Sequence, residues 1–284
     1  MIYITGDTHG DVRRFSTKSF PEKKEMNKCD YVVVLGDFGL IWDWKGESKY
    51  EKNWLDWLED KPFTTLFIDG NHENHERLNG MPVDIWKGGK VHKIRPSVIH
   101  LMRGQIYDID GYNIFTFGGA SSHDIRDGIF EPGDPRIKRW YYDYTKLFRI
   151  NKRTWWEQEL PSYEEMNEGL ENLEKAGWKV DYIFTHCPST STTTLIGDGL
   201  YEQDRLTDYL QGIKERLDFK KWFFGHFHID KQINDKEICL FEQIVKISTI
   251  NSHERFISEV KAAEESVKCG NYVTLEQLHK FLDV

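Results

Sequence analysis

Short apolar runs, each closing on a glycine or a polar turn, set the rhythm of the chain from Ile2 to His228. They are Ile2-Tyr3-Ile4, then "DYVVVLGD", "TTLFIDGNHE", "DYIFTHCP" and "KKWFFGHFH". Runs that are apolar throughout, rather than alternating, predict strands buried on both faces. Helical spacing separates several of them: Asp11 to Phe20, about Glu47 to Glu59, and the series Leu206, Leu210, Ile213 and Leu217. That alternation predicts β-α-β units and a largely parallel sheet. From Lys90 to Phe117 the strands are closely spaced, "SVIHL", "QIYDI" and "NIFTFGGA", which predicts an antiparallel stretch forming a second sheet packed on the first. Ser162 opens a helix with a capping box to Glu165, sets Met166, Leu170 and Leu173 on one face, and the helix stops at Gly177. A charged, aromatic stretch at about 121–160 follows no clear period and reads as an insertion that could either cap a site or form a second hydrophobic cluster. Most of its Trp140, Tyr141, Tyr142, Trp155 and Trp156 are expected in a hydrophobic cluster. From about Glu254 the pattern is two short helices, the last capped at Thr274 with Gln277 in the box position. The expected organisation is one domain at 1–252 and a helical extension at 253–284.

Composition narrows the partners. The 284 residues are 39% hydrophobic, enough for one large core. Lys and Arg number 38 against 47 Asp and Glu, and the net charge of −9 disfavours long nucleic acid or an anionic membrane as a partner. No apolar segment approaches the roughly 20 residues a membrane span needs. Cys29, Cys187, Cys239 and Cys269 form no CxxC pair and the opening strand leaves no signal-peptide pattern, so a reducing cytoplasm is the expected compartment.

The polar residues that close the apolar runs carry the chemistry. They are Asp7 and His9 in "GDTHGD", Asp37 in "VVLGD", Asn71 in "GNHE", His186 in "FTHCP", and His226 and His228 in "GHFH". Loops at the C-terminal edge of an α/β sheet can bring such groups together although they are far apart in sequence. Imidazoles mixed with carboxylates, and no thiolate, suit Mn, Fe, Zn, Co or Ni rather than a structural zinc knot. Each motif alone is weak, since exposed Asp and His are common. Together the groups exceed what one ion takes while leaving a position open, whereas two divalent ions sharing one carboxylate would use them all.

In this order, D-x-H, GD, GNH followed by an acid, a lone H and GH-x-H, the chain resembles the calcineurin-like metallophosphoesterase superfamily. The resemblance implies an α/β fold of two packed mixed β-sheets flanked by helices, with a dinuclear metal centre. It implies Asp7, His9, Asp37 and His228 around one ion, Asp37, Asn71, His186 and His226 around the other, and Asp37 as the bridge. His72 corresponds to the family's general acid or transition-state stabiliser. The implied activity is hydrolysis of phosphate esters by a metal-activated water. A phosphomonoesterase is the first expectation, a phosphodiesterase or nuclease acting on cyclic or short nucleotide diesters the alternative, and an inactive metal-binding scaffold a third. Retention of every ligand and of His72 argues for an active enzyme. The second motif departs from the phosphoprotein branch: "GDFGLIW" has Leu40 where that branch has Asp, and no Arg follows. Substrate contacts are therefore expected from "GGASSHDIRDG", namely His123 and Arg126, whose planar fork suits bidentate contact with phosphate. The expected substrate is a phosphorylated small molecule, a nucleotide or a phosphoprotein.

Overall fold

The computed structural model describes residues 1–197 and 201–247. The 252/253 boundary and the two C-terminal helices, with Thr274 and Gln277, lie outside the described residues. The chain opens with β1 (Ile2–Thr5), β2 (Tyr31–Leu35), helix α1 (Lys49–Glu59), β3 (Thr64–Ile68) and the short α2 (His75–Asn79). Then come β4 (Val83–Trp86), β5 (Gly89–Arg95), β6 (Val98–Leu101), β7 (Gln105–Ile109) and β8 (Tyr112–Phe117). The insertion holds β9 (Gly128–Phe130), α3 (Pro135–Trp140) and β10 (Phe148–Ile150), in which β9 and β10 pair in parallel. Next are α4 (Tyr163–Lys175), β11 (Tyr182–Thr185), α5 (Thr190–Gly197), α6 (Arg205–Arg216) and β12 (Lys221–Phe224). Finally β13 (Lys231–Gln232), β14 (Glu237–Cys239) and β15 (Val245–Ile247) complete the sheets.

Two large mixed sheets result, with strand orders β15-β1-β2-β3-β6-β5-β4 and β13-β14-β12-β11-β8-β7. The central strands of each pair in parallel, and antiparallel neighbours close the edges. Alternation along the buried strands divides the core. Ile2, Ile4, Val33, Leu35, Leu66 and Ile68 face Ile114, Phe184, Phe223 and Ile238 of the other sheet. Val32, Val34 and Phe67 point the other way, under Leu55 and Leu58 of α1. Phe115, Phe117, Ile183 and Phe224 face Leu206, Leu210 and Ile213 of α6 and Met166 and Leu173 of α4. The stack is helix, sheet, sheet, helix, as the resemblance implies.

Three expectations change. The closely spaced strands do not form one sheet: β5 and β6 finish the first, and after Leu101 the chain crosses to start the second with the β7-β8 hairpin. The helix expected over Asp11 to Phe20 is a single 3-10 turn, Arg13–Phe15. Val12, Phe15 and Phe20 are buried as helical spacing requires, but the Ser16 side chain accepts the Ser19 N–H and turns the backbone out of a helical path. In the insertion, Trp156 is buried but Tyr141 and Tyr142 are exposed.

Candidate metal centre

Strands β1, β2 and β3 are neighbours in one sheet, β11 and β12 in the other, and the residues following each lie on the same edge of the sandwich. Asp7, His9, Asp37 and His228 each offer a ligand atom, and these atoms all lie within 4.8 Å of one another. His9 Nε2 sits 2.9 Å from His228 Nε2, and His228 Nε2 is 3.2 Å from Asp7 Oδ2. That carboxylate oxygen is buried and makes no hydrogen bond of acceptable geometry. Beside this group, His186 Nε2 lies 3.4 Å from Asp37 Oδ1 and 3.3 Å from Asn71 Oδ1. His226 packs against His186, with ring centroids 4.9 Å apart. The structure thus gathers all seven candidates, with Asp37 between the two groups.

Close approach explains the glycines in the motifs. A Cβ at Gly70 would stand 2.1 Å from Asp37 Oδ1, and one at Gly225 would stand 2.2 Å from Asp7 Oδ1. Four of the candidates, His9, Asp37, His226 and His228, have φ between 45° and 70°. Such a conformation is uncommon outside glycine, and its concentration here marks backbone held to aim side chains.

Neighbouring groups fix the orientation. The His186 Nδ1–H donates to the Leu35 carbonyl at 2.7 Å, which leaves Nε2 as the free lone pair facing Asp37 and Asn71. The Asn71 amide nitrogen reaches Ser122 Oγ, and Ser122 donates its hydroxyl to the buried Glu159 at 2.6 Å. Asn71 Oδ1 is thereby turned toward His186. Glu73, fully buried, accepts the N–H groups of Gly39 and Gly70 and ties the second motif to the third.

The electrostatics are those of a cation site. Burial opposes ionisation of Asp37, but His186 and the other imidazoles outweigh it and hold the carboxyl well below its usual range. Burial also works against a charged His186, yet the Asp37 and Asp7 carboxylates raise it to about 10. The orphaned Asp7 oxygen, the outward lone pair of His186 and the mixed oxygen and nitrogen donors therefore fit divalent transition metals.

His72 stands at the rim of this centre. Its backbone N–H donates to Asp37 Oδ1 at 2.8 Å, its ring meets His9 edge-on, and Trp42 stacks on it. Burial first, then the charge of Arg149, lower its pKa below that of a free histidine. Of the two expected substrate residues, His123 is at the centre, its Nε2 2.8 Å from His226 Nε2. Arg126 is largely exposed and bonds to Asp127 and to the Thr145 carbonyl. The guanidinium that reaches His72 belongs to Arg149, whose Nη2 lies 3.1 Å from His72 Nε2 and whose fork is held by Asp124. Leu40 is fully buried in the core beneath the first sheet, so the position that is Asp in the phosphoprotein branch is packing here.

Over residues 1–230 the chain matches the family model of the calcineurin-like phosphoesterases, and it belongs to that family. This is a class of metallophosphoesterases, hydrolases acting on phosphate ester bonds and generally dependent on two metal ions. Among curated proteins it is similar to lariat debranching enzyme A of Xenopus laevis, 28% identical over 144 residues that make up 46% of this chain and 26% of that protein. The lariat debranching enzyme of Danio rerio is 26% identical over 157 residues, 50% of this chain and 26% of its own length. That of Homo sapiens is 25% identical over 146 residues, 46% and 25%. The matched stretch is about a quarter of each relative.

Proposed function

We propose that this chain hydrolyses phosphodiesters of nucleotides at a dinuclear centre held by Asp7, His9, Asp37 and His228 on one side and Asp37, Asn71, His186 and His226 on the other. The observation that carries the reading is the convergence of these side chains at one sheet edge, with a buried carboxylate oxygen left unpartnered among them. When bound, two divalent ions supply Lewis-acid charge for the phosphoryl oxygens and an activated water. The chain's own residues do the rest. Asp37 sets the separation of the two donor groups. His72, stacked under Trp42, faces the departing oxygen, and Arg149 adds a guanidinium beside it.

The diester reading replaces the monoester expectation for two reasons. The relatives are named for the debranching of lariats, a phosphodiester hydrolysis. In addition, the guanidinium at His72 already shares its charge with Asp124, which leaves little to meet the second negative charge of a monoester. The expected substrate is recognised locally, since a net charge of −9 gives no long-range attraction to a polyanion. Manganese-loaded protein tested on bis-para-nitrophenyl phosphate, a 2′,5′-linked dinucleotide and para-nitrophenyl phosphate should favour the diesters by more than about tenfold in kcat/KM. A preference for the monoester would overturn the reading.

A further inference from the structure

A cleft of about 500 Å³ opens beside the centre and shares His9 with it, its lining including Trp42, Trp44, Tyr50 and Arg153. Its two sides come from distant parts of the chain, the loop after the second motif and the insertion. Trp42 is engaged with His72, but Trp44 and Tyr50 are 46% and 56% exposed, although the Tyr50 hydroxyl donates to the Gly10 carbonyl and its ring meets Trp54 edge-on. Arg153 lies 4.2 Å over the Trp44 ring and makes no ion pair among the described residues, although the protein is acidic. Lys45 approaches the same indole at 5.1 Å. The two carboxylates of the cleft are already engaged: Glu51 accepts the Trp42, Asp43 and Ser48 N–H groups and pairs with Arg77, and Asp43 accepts the Lys45 N–H. The loop is therefore braced from beneath while its aromatic and cationic surfaces stay open.

We propose that this cleft is a nucleobase subsite, in which a base stacks on the Trp44–Arg153 pair while its phosphate lies toward His9 and the metal centre. Every base has a π-face, so an indole and a guanidinium plane hold a base with little sequence preference. The volume suits a mononucleotide unit rather than a bare phosphate. The inference rests on the nucleotide reading above and gives it a substrate class: diesters that carry a base on the side facing the insertion.

Binding, not turnover, is the direct test. Titrating the manganese-loaded full chain with AMP and with ribose 5-phosphate, by calorimetry, compares ligands that share a phosphate and differ in the base. Wild type should bind AMP about tenfold or more tightly than ribose 5-phosphate, the size expected for one stacked base. Trp44→Ala should bring that ratio close to one, Arg153→Gln should lower it, and Trp44→Phe should retain most of it. Trp44 is half exposed, and Arg153→Gln leaves the indole intact should the alanine variant misfold. A ratio near one in wild type, no measurable binding of either ligand, or an unchanged ratio in both Trp44→Ala and Arg153→Gln would overturn the subsite. Loss of diester hydrolysis with the AMP preference intact would instead count against the proposed function and leave the subsite standing.

Discussion

A single methyl group probes the ligand shell. Because a Cβ at Gly225 would lie 2.2 Å from Asp7 Oδ1 and 2.8 Å from the Leu35 carbonyl oxygen that accepts from His186, Gly225→Ala should displace the Asp7 carboxylate and the end of β2 that orients His186. Metal affinity measured by competition with a chelator should fall by about 10- to 100-fold, as for other changes that misorient a ligand. Unchanged affinity would remove Asp7 from the centre. The contrast between two arginines is as sharp. Arg149→Ala should lower kcat/KM on a diester by about 10²-fold through loss of the guanidinium at His72, whereas Arg126→Ala, removing an exposed pair, should stay within about twofold. The residues that gather at the sheet edge were legible because their chemistry is confined to a few residue types placed at strand ends. Arg149, Ser122 and Glu159 were not, because each acts across a long stretch of chain and lies in a region without period. Local motif singled out Arg126, whereas the guanidinium that lies at His72 is that of Arg149.

Helix α1 does more than cover the first sheet. Its Ser48–Glu51 capping box is complete, and the same buried Glu51 also holds the Trp42 and Asp43 N–H groups and the Arg77 guanidinium. Ser48→Ala removes one cap bond and should cost about 1 kcal/mol. Glu51→Ala leaves the half-buried Arg77 guanidinium with only the Asp43 carbonyl and frees the loop that carries Trp42 and Trp44, so a loss of about 2–3 kcal/mol is expected. Equal losses in urea unfolding would show that Glu51 acts only as a cap. Elements with strong local signals were readable: α4 begins at its Ser162 box and α6 carries the Leu206, Leu210 and Ile213 face. The 3-10 turn at Arg13–Phe15 was missed because its apolar spacing matches a helix, and turn chemistry prevailed. The change of sheet between β6 and β7 has no local signature, since a hairpin looks the same on either sheet.

At the scale of the whole molecule, two buried histidines away from the metal centre contribute to the response to acid. Burial lowers His92 to about 4 and His75 to about 3, so in the folded state both stay neutral below the pH at which the unfolded chain takes up protons. Between pH 6.5 and about 4 these two imidazoles bind more protons in the unfolded state than in the native one, so their contribution to stability falls as pH falls. His92→Phe removes one such group whose Nε2 has no hydrogen-bond partner. In the metal-free protein the melting temperature of this variant relative to wild type should therefore rise as pH is lowered through that window; a constant difference would contradict the assignment.

The joining of the two sheets at one edge is the claim on which everything else depends, and it reduces to Asp37, the residue shared by both donor groups. Metal content after dialysis, read by mass spectrometry on wild type, Asp37→Ala and Asn71→Ala with folding checked by circular dichroism, tests it most directly. Two ions per chain in wild type, loss of both in Asp37→Ala and loss of one in Asn71→Ala is the expected result. Two ions retained by folded Asp37→Ala would contradict a bridged centre.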